Sequence, residues 1–203
     1  MRTIKINLYK YNELSLQAQE RALEYYSSIN TDYDWFNSTL ELWKENLELI
    51  GFTNAKIYFS GFWSQGDGAC FDADINFDIL FEKYAKFANQ NGMKKIQRAL
   101  KNHRNWIYDY LCNETSYSIT VINHRYSHES TRKIESSCYS TTKGVLSYIF
   151  SDFEGWLESF RKDLCCDIYK DLETEYEALS AREAVEETVR INGYEFTQDG
   201  KPA

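Results

Sequence analysis

A glycine-rich segment holds the first group of side chains that could do chemistry. Residues 59–77 read FSGFWSQGDGACFDADINF and place Trp63, Gln65 and Asp67 among three glycines. Such a turn lets a ligand approach the backbone, with Trp63 as a stacking platform. The same Gly-Asp-Gly sequence is typical of a turn that closes a β-hairpin, because glycine reaches φ > 0 at no steric cost. Both interpretations stay open, and we take Trp63, Gln65 and Asp67 as ligand-binding candidates.

Two carboxylates follow in the same segment. Asp72 and Asp74 alternate with apolar residues and should project from one face of a strand. Paired carboxylates can hold Mg²⁺ or Mn²⁺, or divide acid and base roles between them. The pattern is not a calcium-binding EF-hand loop, because its sixth position is Phe77 and its twelfth is Lys83. The alternative is that Asp72 and Asp74 form the solvated face of an antiparallel sheet, and whether a metal binds stays open.

A second cluster of polar side chains lies at residues 123–129, NHRYSHE. It brings His124, Arg125, Tyr126 and His128 within a few positions of one another. An arginine fork with histidine and tyrosine donors suits a phosphate or another anion. If a strand continues through Tyr126, His124 and Tyr126 share a face and His128 lies in the turn that follows. The alternative is a polar strand end with surface histidines.

No catalytic signature accompanies these clusters. The sequence has no Gly-Lys-Ser/Thr phosphate loop, no dinucleotide-binding fingerprint and no G-x-S-x-G nucleophile motif. We therefore assign no catalytic residue, expect no cofactor, and leave enzymatic activity uncertain with a preference for a protein that is not an enzyme.

The excess acidic charge is concentrated near the C-terminus. Residues 151–187 hold 12 acidic and 4 basic side chains, which gives the whole net charge of −8, and the rest of the chain is balanced at 19 against 19. The pattern is typical of the solvated face of an amphipathic helix. The alternative is a surface that docks a basic partner, with an affinity that falls as salt rises. The partner-binding candidates on this stretch are Asp167, Asp171, Glu175 and Glu187.

Composition excludes several broad classes of protein. The 203 residues are 43% hydrophobic and 16% aromatic, which excludes a disordered chain. The acidic balance argues against general affinity for nucleic acids or membranes, and no apolar run approaches the ~18 residues of a membrane span. The N-terminus lacks the apolar region of a signal peptide. The five cysteines show no metal-binding spacing, so we expect reduced, mostly buried thiols in a cytoplasmic protein.

Hydrophobic periodicity predicts a mixed fold. We expect one α+β domain over residues 1–193, with an antiparallel sheet, a helix-rich C-terminal third and a polar tail at 194–203. Strands are predicted at 3–11, 55–62, 69–77, 116–126 and 131–140. Helices are predicted from Ser15 to about 29 and at 32–50, 79–91, 93–112 and 142–190, the last interrupted near Gly155 and near Ser180. The core should include Trp43, Leu47, Phe71, Ile75, Phe77, Trp156, Phe160 and Leu164.

Several stretches together resemble a family of uncharacterised proteins from phages, prophages and plasmids, some labelled "antitoxin of toxin–antitoxin stability system". They are SLQAQERALEYYSSINTDYDWF (15–36), YFSGFWSQGDGACF (58–71), HRYSHE (124–129), LETEYEAL (172–179) and AVEETVRINGYEFTQDG (184–200). The resemblance carries no catalytic residues with it. It implies a bacterial cytoplasmic setting, a mobile-element origin and the neutralisation of a toxin or host defence protein.

The sequence thus supports competing functional hypotheses. The first is a protein, not an enzyme, that binds and neutralises a partner protein such as a toxin, nuclease or defence effector. The alternative is a small-ligand site that binds or hydrolyses a nucleotide or phosphate ester, and it requires the ligand-binding candidates to converge in one pocket. A weaker hypothesis, a nucleic-acid-binding regulator, rests on a basic stripe at Lys94, Lys95, Arg98, Lys101, His103 and Arg104.

Overall fold

The structure, a computed structural model, describes residues 6–113, 115–138 and 145–203. Its strands are β1 (Tyr9–Lys10), β2 (Phe52–Ser60), β3 (Gly68–Ile75), β4 (Thr115–Val121), β5 (Arg132–Cys138) and β6 (Glu195–Phe196). Its helices are α1 (Leu16–Tyr25), α2 (Asn37–Ile50), α3 (Phe77–Gln90), α4 (Lys94–Asn113), α5 (Val145–Ser180) and α6 (Arg182–Ile191). Small antiparallel sheets and packed helices make this an α+β fold, as predicted.

Backbone contacts divide the chain into two compact units. We call the described residues up to Ser38 together with Asp171–Ala203 the terminal unit, and Thr39–Lys170 the central unit. Residues 3–5 of the first predicted strand, 139–140 of the fifth and 142–144 of the last predicted helix lie outside the described residues.

The terminal unit packs α1 against α6 and pairs β1 with β6. Helix α1 begins as expected, because the Ser15 hydroxyl accepts a hydrogen bond from the Ala18 N–H at 3.3 Å. The segment predicted as a polar tail contributes β6, in which Phe196 is fully buried and pairs with Tyr9. A strand of two residues such as β6 is too short to show a period-two pattern in the sequence. In the described part of the strand predicted at 3–11, only Tyr9–Lys10 form a strand.

The central unit contains the predicted hairpin. Strands β2 and β3 pair antiparallel over registers from Phe52–Ile75 to Ser60–Gly68. Both Cys70 and Phe71 are fully buried, so this end of β3 is covered on both faces rather than alternating between core and solvent. Helices α3 and α4 follow, separated at Asn91-Gly92 as predicted, and β4 pairs with β5.

Helix α5 is continuous through Gly155, so the predicted interruption there is wrong. Glycine inside a helix costs only about 1 kcal/mol relative to alanine, which the buried Phe153 and Leu157 on either side outweigh. The predicted break near Ser180 is confirmed, because α5 ends there and α6 begins at Arg182. No helix among the described residues combines the length and hydrophobicity needed to cross a membrane.

The predicted core is correct in part. Leu47, Phe71 and Leu164 are buried. The other members of the predicted core are half-buried, namely Trp43, Ile75, Phe77, Trp156 and Phe160.

Candidate functional site

The turn that joins β2 to β3 is held in one conformation by Asp67. Its carboxylate accepts hydrogen bonds from the backbone N–H groups of Trp63 at 3.0 Å and Ser64 at 2.6 Å. The Asp67 N–H donates to the Ser64 carbonyl at 3.1 Å, and Gly66 has a φ of +97°. On this fixed turn the Trp63 side chain is 72% exposed. The turn therefore has a fixed backbone conformation and leaves most of the Trp63 side chain accessible to solvent.

The NHRYSHE segment is a loop and not the end of a strand. Strand β4 ends at Val121, because the N–H groups of Ile122 and Asn123 both donate to the Thr131 carbonyl, at 2.9 and 3.3 Å. The premise that a strand continues through Tyr126 is therefore wrong, and His124 and Tyr126 do not share a strand face. Periodicity could not reveal this, since the loop is closed by backbone hydrogen bonds that carry no side-chain signal.

His128 anchors that loop. Its carbonyl accepts hydrogen bonds from the Thr131 N–H at 2.9 Å and hydroxyl at 2.7 Å. Its ring Nδ1 accepts from the Ser130 N–H at 3.2 Å, so the neutral imidazole carries its proton on Nε2. His128 thus closes the loop through both its backbone carbonyl and its ring Nδ1.

The turn and the loop meet in one cleft. A cavity of about 580 Å³ is lined by Gln65, Gly66, Asp67, Tyr126, His128 and Glu129. The contact is close: a Cβ on Gly66 would lie 3.1 Å from the Tyr126 ring. Four of the ligand-binding candidates therefore lie together, namely Gln65, Asp67, Tyr126 and His128.

The remaining candidates lie elsewhere or at the edge. The Asp72 carboxylate accepts a hydrogen bond from Arg132 Nε at 2.6 Å, and the Asp74 carboxylate accepts one from the Asn54 amide at 2.7 Å. The two carboxylates are thus bound separately and do not act as a pair. His124 is exposed, and the exposed Arg125 guanidinium lies 5.3 Å from the centre of the Tyr126 ring.

Metal coordination has no support in the described part of the chain. No group of three or more His, Cys, Asp or Glu residues there is placed to hold a metal ion.

A buried ion pair supports the loop from below. Arg161 on α5 is fully buried, and its guanidinium contacts the Glu158 carboxylate at 2.7 Å. Its Nη2 atom also donates to the carbonyls of Glu129 and Arg132, both at 2.8 Å. The two bonds to backbone carbonyls connect α5 to the segment that ends the loop, and a hydrogen-bonded buried pair favours a single geometry.

Glu158 completes this network. Its carboxylate also accepts a hydrogen bond from the Ile134 N–H at 3.0 Å. Burial alone would raise the pKa of Glu158, but the hydrogen bonds from Arg161 and Ile134 and the charge of Arg161 outweigh it, so the pKa lies below its usual value. Glu158 therefore remains ionised beside Arg161.

Sequence reasoning missed this network, although a signal was present. Arg161 occupies a position on the apolar stripe of α5 that also carries Leu157, Leu164 and Ile168, all buried. A charged residue on a buried stripe needs a partner, and Glu158 three residues earlier is within reach on a helix.

Two thiols lie near this network. Cys70 and Cys165 are buried, and burial raises the pKa of both, that of Cys165 to about 12. Both therefore stay protonated at neutral pH and pack as small apolar groups. Cys112 and Cys166 are exposed, so the expectation of mostly buried thiols is correct for Cys70 and Cys165 and wrong for these two.

The partner-binding candidates lie on α5 and α6. Asp167, Asp171 and Glu187 are exposed, and Glu175 is half-buried. Asp167 lies 3.8 Å from the Lys170 ammonium, a loose surface ion pair. Asp171 and Glu175, both in the terminal unit, are four residues apart on α5, which places their side chains on the same side of the helix.

The family of the chain is defined by a match over most of its length. Residues 35–182 match the family model described as "Domain of unknown function (DUF8835)", which includes the hairpin turn, the loop and Arg161. The chain belongs to this family. No curated protein and no solved structure matches the chain.

Proposed function

We propose that this is a binding protein rather than an enzyme, and that it binds and neutralises a partner protein such as a toxin, a nuclease or a host defence effector. The observation that carries the proposal is the 72% exposed Trp63 on a turn whose backbone is fixed by Asp67. A large aromatic side chain on a backbone that is fixed before binding costs less ordering entropy when a partner covers it.

The surroundings of Trp63 suit a protein partner. Tyr126 lies against Gly66 of the same turn, and the exposed Arg125 lies over the Tyr126 ring. Tryptophan, tyrosine and arginine are the residue types that dominate binding energy at protein interfaces. The buried Arg161 network holds the loop from beneath, so the surface is preorganised on both sides of the cleft.

The acidic excess of residues 151–187 would act over a longer range. We propose that it steers a basic partner toward the protein, as complementary charge does in fast association. Asp167, Asp171, Glu175 and Glu187 are the side chains assigned to this role. The proposed setting is the bacterial cytoplasm, and the proposed origin is a phage, prophage or plasmid, both from the resemblance of the sequence motifs.

The test compares two tryptophans. The full chain is immobilised, bacterial lysate is passed over it, and retained proteins are quantified by mass spectrometry. Trp63→Ala should reduce capture of the partner by about tenfold or more, because truncating a hot-spot tryptophan costs about 2 kcal/mol or more of binding free energy. Trp106→Ala is the matched control, since Trp106 is 47% exposed but lies on α4 and does not line the cleft at the turn.

Equal capture by both variants, or no protein enriched over bare resin, would contradict the proposal. Neutralisation is tested on the captured protein, by asking whether co-expression of the wild-type chain restores growth to cells that express it.

A second candidate function has one observation in its favour. Gln65, Asp67, Tyr126 and His128 line one cleft, which a site for a nucleotide or phosphate ester requires. This hypothesis predicts that His128→Ala abolishes binding of a small molecule detectable by native mass spectrometry, while Trp63→Ala leaves the bound mass unchanged.

A further inference from the structure

A separate pocket lies between helices α4 and α5 of the central unit. It has a volume of about 530 Å³ and is lined by Lys95, Arg98, Ala99, Asn102, His103, Tyr148 and Ile149. The five residues from α4 recur at helical spacing and form one face of that helix. This pocket shares no lining residue with the cleft at the hairpin turn.

The polar wall of the pocket is cationic. Lys95, Arg98 and His103 are exposed on it, and none of the described lining residues is acidic. The net charge of −8 arises entirely from residues 151–187, and none of the residues that line this pocket belongs to that stretch. An ammonium and a guanidinium one turn apart on a helix can both reach the same phosphate.

The floor and rim of the pocket suit a flat aromatic group. Ala99 and Ile149 are buried and give the floor an apolar surface. The Tyr148 ring is 51% exposed at the rim, and the Lys95 ammonium lies 5.8 Å from its centre. Base-on-aromatic stacking beside a cation is the usual way in which proteins hold nucleotides without reading their sequence.

The backbone of α4 departs from helical geometry at this pocket. His103 has φ −137° and ψ 23°, where the neighbouring residues are helical. The kink lies directly after Asn102, whose amide carries both a donor and an acceptor for the edge of a base. Backbone irregularities inside helices are often found at functional sites.

We propose that this pocket binds a nucleotide, with Lys95 and Arg98 on the phosphate, Tyr148 stacked on the base and Asn102 at the base edge. His103 supplies a further donor to the phosphate. The same chemistry is offered by a free nucleotide and by the terminal nucleotide of a single strand. The proposal is independent of the binding surface at Trp63.

Calorimetric titration of the full chain tests it with four probes: ATP, adenosine, inorganic phosphate and a short 5′-phosphorylated oligothymidylate. ATP should bind to the wild-type chain. The double variant Lys95→Gln/Arg98→Gln should bind ATP about tenfold more weakly or worse, because two charge-assisted contacts are lost. Tyr148→Leu should weaken ATP and adenosine but leave phosphate unchanged, since only the base stacks on the ring.

Lys101→Gln is the matched control. Lys101 is an exposed cation on the same helix but does not line the pocket, so ATP affinity should stay within about twofold of wild type. Circular dichroism and melting temperatures establish that each variant is folded.

The outcomes separate clearly. Tighter binding of ATP than of the oligothymidylate assigns the pocket to a free nucleotide, and the reverse, with a steep salt dependence, assigns it to a strand end. The proposal is overturned if neither ATP nor the oligothymidylate binds at millimolar concentration. It is also overturned if Lys101→Gln weakens ATP binding as much as the double variant does, or if Tyr148→Leu has no effect on ATP binding.

Discussion

Gly68 and His128 lie so close together that a Cβ atom on Gly68 would stand 2.5 Å from the His128 Cβ and 2.9 Å from its Cα. The glycine pairs with Ser60 in the hairpin, and the histidine anchors the loop after β4. Turn and loop can therefore form a common cleft only because Gly68 has no side chain.

Gly68→Ala should consequently destabilise the protein by about 1–3 kcal/mol, since the new methyl group meets backbone that cannot rotate away. The measurement is the free energy of unfolding in urea. Gly155→Ala is the control, because nothing lies within 4 Å of a Cβ there. It should stabilise by about 0.5–1 kcal/mol through helix propensity. A Gly68→Ala protein as stable as wild type would show that the cleft is not packed as described.

Glu158→Gln tests the buried ion pair. It leaves the Arg161 guanidinium, fully buried, without its counter-charge. We expect a loss of about 3 kcal/mol, at the lower end for a broken buried pair because the Glu158 side chain is 26% exposed. Arg161→Met combined with Glu158→Gln should recover part of the loss, because no buried charge then remains. A single variant as stable as wild type would contradict the network.

The same pair predicts how stability depends on pH. The pKa of Glu158 is lower in the folded chain than in the unfolded one, because Arg161 and Ile134 hold its ionised form. The stabilisation that ionised Glu158 provides is therefore complete above its pKa in the unfolded chain, about 4.3, and is lost as the pH falls through its lower pKa in the folded chain. The melting temperatures of wild type and Glu158→Gln should converge on acidification, and a constant difference down to pH 3 would refute the assignment.

Much of the fold could be predicted from local patterns. The alternation before Ile75 predicts β3, the three-and-four spacing predicts α3 and α4, and Ser15 predicts the start of α1. These features depend on residues close in sequence. The pairing of Tyr9 with Phe196 could not be predicted, because two residues carry no periodicity and their partners are far apart in the chain.

The candidate site was likewise predictable only in those features that depend on residues close in sequence. Glycine content and polar side chains mark the hairpin turn and the NHRYSHE loop, but their meeting depends on the contact of Gly68 with His128, which sequence does not encode locally. Asp72 is a residue type that commonly binds metals, yet its carboxylate accepts a hydrogen bond from Arg132 on β5, which is far away in the sequence. The residue type indicates what a side chain can bind, and tertiary contacts decide whether another side chain already binds it.

Thiol reactivity offers a check on the core. Cys112 and Cys166 are exposed, whereas Cys70 and Cys165 are buried. Iodoacetamide at pH 8 should therefore modify Cys112 and Cys166 in the native protein, and Cys70 and Cys165 only after unfolding, since the thiolate is the reactive form. Peptide mass mapping measures each rate, and native labelling of Cys165 would contradict the described packing.

The acidic stretch gives the last prediction. Replacing Asp167, Asp171, Glu175 and Glu187 with lysine should slow association with a captured basic partner by about tenfold at low salt, and the difference should vanish at high salt. The exposed Asp167, Asp171 and Glu187 contribute little to stability, and a melting temperature close to that of wild type checks that the half-buried Glu175 also tolerates lysine. The small-ligand hypothesis predicts the opposite, with activity retained in the lysine variant and lost in Gln65→Ala and His128→Ala. Surface plasmon resonance measures association, and growth rescue measures activity. Full rescue by the lysine variant and none by the folded cleft variants would exclude the acidic stretch as a docking surface and assign the function to the cleft.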